Sequence, residues 1–135
     1  MTNKSENLEI VLPKNQLSLY GYEDYFASFA NLYRKNKLPN TILLSGPKGL
    51  GKATFAYHFI NYILSYNEFN KYSVDNMTIH PENNSYKSLS RNTNPNFSLL
   101  ESDMLEENIK IDKVRNILNF LNKTTYSSNI KIILI

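Results

Sequence analysis

Apolar side chains recur along this chain in three stretches at helical spacing and in three short continuous runs. Tyr22, Tyr25, Phe26, Phe29, Ala30 and Tyr33 make the first stripe, with Glu23 and Asp24 at its start and Arg34 and Lys35 at its end. Both signs suit a helix dipole, so a helix is predicted there. Leu38-Pro39-Asn40 closes it, because proline restricts the residue before it. Phe55, Ala56, Phe59, Ile60 and Ile63 form a second helical stripe, and Ile111, Val114, Ile117, Leu118 and Leu121 a third, with Asp112 near its start. Thr41 to Ser45 reads as a buried strand, Phe97 to Leu100 as another, and Ile130 to Ile135 as a third, apolar apart from Lys131. Residues 1–19 read as a loosely held arm. The stretch 67–96 is polar, rich in Asn and Ser and without period, and reads as a long mobile excursion. No internal repeat is present. The order helix, strand, glycine-rich turn, helix, then strand, helix, strand predicts an α/β domain with a mainly parallel sheet and flanking helices.

Composition narrows the class. A chain of 135 residues, 41% hydrophobic and 20% charged, holds one domain with a core. The net charge of +3 is too small to mark a nucleic-acid surface by itself. The absence of cysteine excludes disulfides and thiolate zinc sites. Met1 to Glu9 lacks the apolar centre of a signal peptide, and no run approaches membrane-spanning length. The expectation is a cytoplasmic protein without a membrane partner.

The chemistry is concentrated between the second predicted helix and the strand before it. Three of the four glycines, Gly46, Gly49 and Gly51, fall within one six-residue turn. Without Cβ atoms such a backbone can curl until successive N–H groups face an anion, and the following helix adds its positive end. Gly46-Pro47-Lys48-Gly49-Leu50-Gly51-Lys52 matches the phosphate-loop pattern G-x-x-x-x-G-K in the strand-to-helix context it requires, with Lys52 placed for the β- and γ-phosphates. The pattern then asks for a Ser or Thr hydroxyl on Mg²⁺, and the chain has Ala53. Thr54 follows, but one helical step turns its side chain by about 100°. Residues 46–54 are therefore a candidate nucleotide cradle, binding ATP weakly, with no metal ligand. The acid that completes such a site follows a later apolar strand. The natural candidate strand, 130–135, ends the sequence, which reads as a fragment.

Other groups carry weaker signals. His58, beside the Phe55/Phe59 stripe, reads as a boundary residue and His80 as solvated, neither with a metal-ligand partner at useful spacing. Arg34, Lys35 and Lys37 read as a solvated helix end, the aromatic stripe at 22–33 as core, and Glu101, Asp103, Glu106 and Glu107 as a flexible acidic loop.

Several segments in order resemble the clamp-loader family of bacterial DNA polymerase III: Tyr20-Gly21-Tyr22-Glu23, Lys37-Leu38-Pro39-Asn40-Thr41, Asn94-Pro95-Asn96-Phe97, Ile111-Asp112-Lys113-Val114-Arg115 and the tail 129–135. The loop from Gly46 to Thr54, with Ala-Thr after the lysine, resembles the delta-prime type in particular. The resemblance spans roughly residues 20–135. It implies a partial P-loop NTPase domain of the AAA+ kind, with sheet order 5-1-4-3-2, whose fourth strand would come from beyond Ile135. It also implies work alongside other clamp-loader subunits, with the sliding clamp and primed DNA as partners of the assembled complex and an impaired ATPase of its own. The zinc module of many relatives is excluded by the lack of cysteine, and Asn94 stands where histidine is common. The competing expectation is an active enzyme on the same fold, a loader ATPase or a small-molecule kinase.

Overall fold

The computed structural model describes residues 10–102, 108–125 and 130–135. A short 3-10 helix at Pro13–Asn15 leads into α1 (Glu23–Arg34), α2 (Lys52–Leu64), α3 (Asn84–Ser90), β1 (Phe97–Leu99), α4 (Ile111–Asn122) and β2 (Ile132–Leu134). The two strands pair in parallel, Phe97 opposite Ile132 and Leu99 opposite Leu134, and Leu100 N–H continues the ladder to the Leu134 carbonyl at 2.8 Å. The described chain is thus an α/β unit with a parallel sheet and flanking helices.

The central element is α2. Every residue from Phe55 to Ile63 is buried, so this helix has no solvent face over more than two turns. One side, Phe55, Phe59, Tyr62 and Ile63, packs with Phe26 and Ala30 of α1 and with Leu19, Tyr72, Met77 and Ile79. The other side, Tyr57 and Ile60, packs with Leu89 of α3 and Phe97 of β1, with Ile132 and Leu134 at its margin. Phe26 is fully buried and meets Phe55, Phe59 and Tyr62 edge-on at 5.6–6.1 Å, while stacking on Tyr72 at 4.9 Å. Such geometries add about 0.5–1.5 kcal/mol per pair beyond area burial.

A helix buried all round must also satisfy its polar side chains internally. Asn61 and Asn83 exchange reciprocal amide hydrogen bonds at 3.1 and 3.3 Å. Asn83 Oδ1 also accepts from Tyr86 N–H at 2.8 Å, capping α3, and its amide donates to the Asn70 carbonyl at 2.9 Å. Ser65 donates to Asn61 Oδ1 at 3.3 Å and accepts from Tyr72 N–H at 3.0 Å. The Glu68 carboxylate accepts the Asn84 and Ser85 N–H groups at 2.7 and 3.2 Å, where the start of α3 has free donors.

These contacts change the picture of two segments that the sequence presents as loose. Within 67–96, Tyr72, Met77, Ile79 and Leu89 are core residues and 84–90 is helical. Residues 10–19 are joined to the same segment: Leu19 N–H donates to the Met77 carbonyl at 3.0 Å, Ile79 N–H to the Leu17 carbonyl at 2.9 Å, and Ser18 bridges Thr78. The apolar residues here are single and irregularly spaced, so no period announces them, and Asn83 and Ser85, polar residues that ordinarily signal surface, are buried hydrogen-bonding groups.

A second difference concerns residues 41–45. The apolar run predicts a buried strand, yet no strand forms there, and Leu43 is 88% exposed. Leu44 reaches the core cluster that Ile132 also borders. A ladder needs a neighbour on which to place its N–H and C=O groups, and among the described residues β2 pairs with β1 alone. The second and third predicted strands are adjacent; the first stands apart from them. Helix α4 forms where its stripe predicts, but none of its residues is buried, and Ile111, Val114, Leu118 and Leu121 are exposed. Its C-terminus is held by Lys131, the residue just before β2. The ammonium donates to the carbonyls of Phe120 at 2.6 Å, Leu121 at 3.1 Å and Lys123, a cation at the negative end of the helix.

Two outcomes are expected. Phe26→Ala removes a fully buried ring with four aromatic neighbours and should cost about 3–5 kcal/mol in chemical denaturation. Native-state hydrogen exchange should find the amides of Leu19, Tyr72, Ser73, Thr78 and Ile79 protected well above those of exposed turns; exchange at loop rates across 72–79 would contradict the packing described.

Candidate functional site

The glycine-rich turn lies between residues 41–45 and α2, on the surface. Its glycines take backbone conformations that side chains rarely adopt: φ is 87° at Gly49 and 81° at Gly51, the residue that caps α2. A Cβ at Gly46, where φ is 153°, would stand 3.4 Å from Leu50 Cδ1. Lys52, the first residue of α2, folds back across the turn and donates to the Gly46 carbonyl at 2.6 Å and the Pro47 carbonyl at 2.8 Å. The lysine therefore ties the start of the turn to the start of the helix. Gly51 contributes its carbonyl to α2 through Phe55 N–H at 2.9 Å. The N–H groups of Gly51, Lys52 and Ala53 meet no acceptor among the described residues. Such open donors beside an ammonium and a helix N-terminus can hold an oxyanion.

The other predicted members are placed as follows. Pro47, Lys48 and Leu50 are exposed on the turn, and Thr54 is half-buried in the first turn of α2. Ala53 is exposed beside Lys52 and offers only a methyl group, with no oxygen for a metal. One contact was hidden in the sequence. The Tyr22 hydroxyl donates to the Leu50 carbonyl, and its ring packs on Phe55 with centroids 5.2 Å apart. Tyr22 reads from its spacing as one more core aromatic; nothing in that spacing marks a bond to a turn 28 residues away.

A family model described as DNA polymerase III, delta subunit, matches residues 21–135. The chain belongs to the DNA polymerase III delta subunit family. Members of this family are clamp-loader components, and a clamp-loader part in replication, in assembly with other subunits, comes with membership. Neither a comparison with curated proteins nor one with solved structures returned a match. The family match covers the turn, α1 to α4 and both strands together.

The remaining candidates in this delta-subunit family chain resolve individually. His58 is not a boundary residue: it is fully buried. Its Nε2 faces the Gln16 carbonyl at 2.9 Å and its Nδ1 the Tyr72 hydroxyl at 2.8 Å. A carbonyl can only accept, so Nε2 carries the proton and Nδ1 accepts from Tyr72. Burial lowers the His58 pKa to about 4, opposed by the bond to Gln16, and the imidazole is neutral. Burial likewise pushes the Tyr72 hydroxyl up from its ordinary value. His80 is exposed, its Nδ1 accepting from Glu82 N–H at 3.1 Å. Arg34, Lys35 and Lys37 are exposed at and beyond the end of α1. Glu101 is exposed, and Asp103, Glu106 and Glu107 of the predicted acidic loop lie outside the described residues.

A shallow concavity of about 230 Å³ is lined by Ser98, Leu100, Glu101, Lys113 and Asn116, with Lys113 Nζ donating to the Glu101 carbonyl at 2.7 Å. It contains no residue of the glycine-rich turn. Among the described residues no group of three or more His, Asp or Glu could hold a metal ion, and no helix is long and apolar enough to cross a membrane.

The His58 environment gives a pH dependence of definite sign. The native pKa of about 4 lies below the ordinary 6.5, so the unfolded chain binds the extra proton first as pH falls. The contribution of neutral His58 to stability is complete above pH 6.5 and lost as pH falls toward 4, at most about 3 kcal/mol in all. Urea melts of wild type and His58→Gln across pH 4–7 should show a steeper decline for wild type. Parallel declines would show that His58 does not titrate as its surroundings require.

Proposed function

We propose that this chain acts as a delta-prime-type subunit of the clamp loader, taking its place through protein contacts, with a phosphate loop at residues 46–54 whose own ATP chemistry is impaired. On this reading the domain is a P-loop NTPase of the AAA+ kind. The observation that carries the proposal is Ala53 within an otherwise intact G-x-x-x-x-G-K string in a family member. Three features support it. Lys52 is anchored beside the turn it would serve, backbone N–H groups at the start of α2 are open, and the glycines hold positive-φ conformations that side chains rarely adopt. A phosphate group would meet the N–H groups of Gly49, Leu50, Gly51 and Lys52 and the Lys52 ammonium. Mg²⁺ would lack the hydroxyl that normally joins it to the loop.

The working partners are then the other clamp-loader subunits, with the sliding clamp and primed DNA engaged through the assembled complex in the cytoplasm. ATP is a weak ligand here and zinc has no role. Hydrolysis falls to neighbouring subunits. The alternative, an active loader ATPase or a kinase on the same fold, draws on the same loop but asks of it a magnesium ligand that residue 53 does not provide.

Titration calorimetry with ATP, with and without magnesium, checks this on the protein. Weak binding, little affected by magnesium, and negligible turnover are expected. Ala53→Thr should make binding magnesium-dependent, because it restores an oxygen where the pattern places the metal. Tight, magnesium-dependent binding with turnover in the wild type would favour the active enzyme.

A further inference from the structure

The contact between Tyr22 and the turn is unusual in joining a side chain at the start of α1 to the backbone of the peptide before the helix cap. The Tyr22 ring is fixed on one side by Phe55, at 5.2 Å and an interplanar angle of 46°. Its Cε2 lies 3.7 Å from where a Cβ on Gly51 would stand, so the ring runs directly alongside the cap residue. Its hydroxyl donates to the Leu50 carbonyl. A trans peptide is planar, and its C=O and N–H point in opposite directions. The group that holds the Leu50 oxygen therefore also sets the Gly51 N–H, aiming it away from Tyr22. That N–H is one of the donors without an acceptor among the described residues. Gly51, at φ 81°, has the conformational freedom to turn this peptide over if nothing holds it.

We propose that Tyr22 is a positioning residue for the anion cradle: by anchoring the Leu50 carbonyl it presents the Gly51 N–H to a phosphate oxygen. The proposal rests on the reading of residues 46–54 as a phosphate loop. The ligand class is the polyphosphate end of a nucleotide or an inorganic polyphosphate. Lys52 fastens the first half of the turn through Gly46 and Pro47, and Tyr22 fastens the second half through Leu50. With no hydroxyl at Ala53, the cradle depends on backbone donors and one ammonium, so the aim of each N–H matters more.

Tyr22→Phe tests this, since it keeps the ring and removes only the O–H. In the full chain, amide NMR spectra should show the Gly51 resonance displaced well beyond those of core residues such as Phe59, with an unchanged melting temperature. Binding of inorganic tripolyphosphate without magnesium should weaken about three- to tenfold, the range for losing one hydrogen bond. A Gly51 resonance that stays in place would overturn the proposal. So would wild-type binding that Lys52→Ala abolishes and Tyr22→Phe leaves intact, and this outcome spares the phosphate-loop reading. Absence of wild-type binding, or binding that Lys52→Ala leaves intact, overturns both.

Discussion

Burial of α2 on every side is the constraint from which the other contacts follow. A helix that keeps a solvent face can leave its polar side chains there; α2 cannot, because Phe55 to Ile63 are all enclosed. His58 and Asn61 lie within that span and Ser65 just past it, each fully buried. An unpaired polar group there would cost about 1–3 kcal/mol. Partners must therefore come from elsewhere in the chain: Gln16 from the N-terminal segment, Tyr72 from the stretch after α2, and Asn83 from the cap of α3. The same stretches supply Leu19, Met77 and Ile79 to the core. Apolar cover and polar satisfaction thus arrive together, and residues 10–19 and 67–96 are ordered by the needs of α2.

The position of α2 in turn sets the glycine-rich turn. Its cap, Gly51, is the last residue before a helix held on both sides, and α1 is pinned to that helix by Phe26 and Phe29. That pinning brings Tyr22, immediately before α1, within reach of Leu50. The turn is braced from the helix side by two elements. On its other side, residues 41–45 are held by Leu44 alone among apolar core contacts and join no ladder.

The parts of this architecture that repeat along the sequence were legible in it. Helical stripes mark α1, α2 and α4 within three residues, and the apolar runs at 97–100 and 130–135 contain the paired strands. What failed to show were structures made by single residues of unlike kind. An Asn–Asn pair 22 residues apart has no period, and Asn, Ser and His ordinarily signal surface. The run 41–45 misled in the opposite sense: an apolar pattern states what a segment can bury, whereas a strand also needs a neighbouring backbone. The site divides in the same way. Glycines and lysine at fixed spacing reveal the turn, because its backbone requires those residue types. Tyr22 escapes, because an aromatic at helical spacing has an adequate explanation as core. Even within that stripe the reading was uneven, since Tyr25 is 68% exposed while Phe26 beside it is sealed.

On the proposed reading, the two fastenings of the turn bear on what a subunit without its own nucleotide chemistry needs. In an ATPase that cycles, the loop is organised in part by the ligand, through the metal and the hydroxyl that binds it. Here the hydroxyl is replaced by Ala53, and the loop's ends are held by protein groups instead, Lys52 on the carbonyls of Gly46 and Pro47 and Tyr22 on that of Leu50. A ligand can shift a conformational equilibrium only by the difference in its affinity for the two states. A turn already held in one state by internal bonds leaves little difference for a nucleotide to exploit. Its shape, and that of the α1–α2 face built on it, then stays nearly the same whether or not phosphate is bound. On the proposed reading, that constancy lets neighbouring subunits cycle against a fixed surface, and it follows from the same bonds that close the turn.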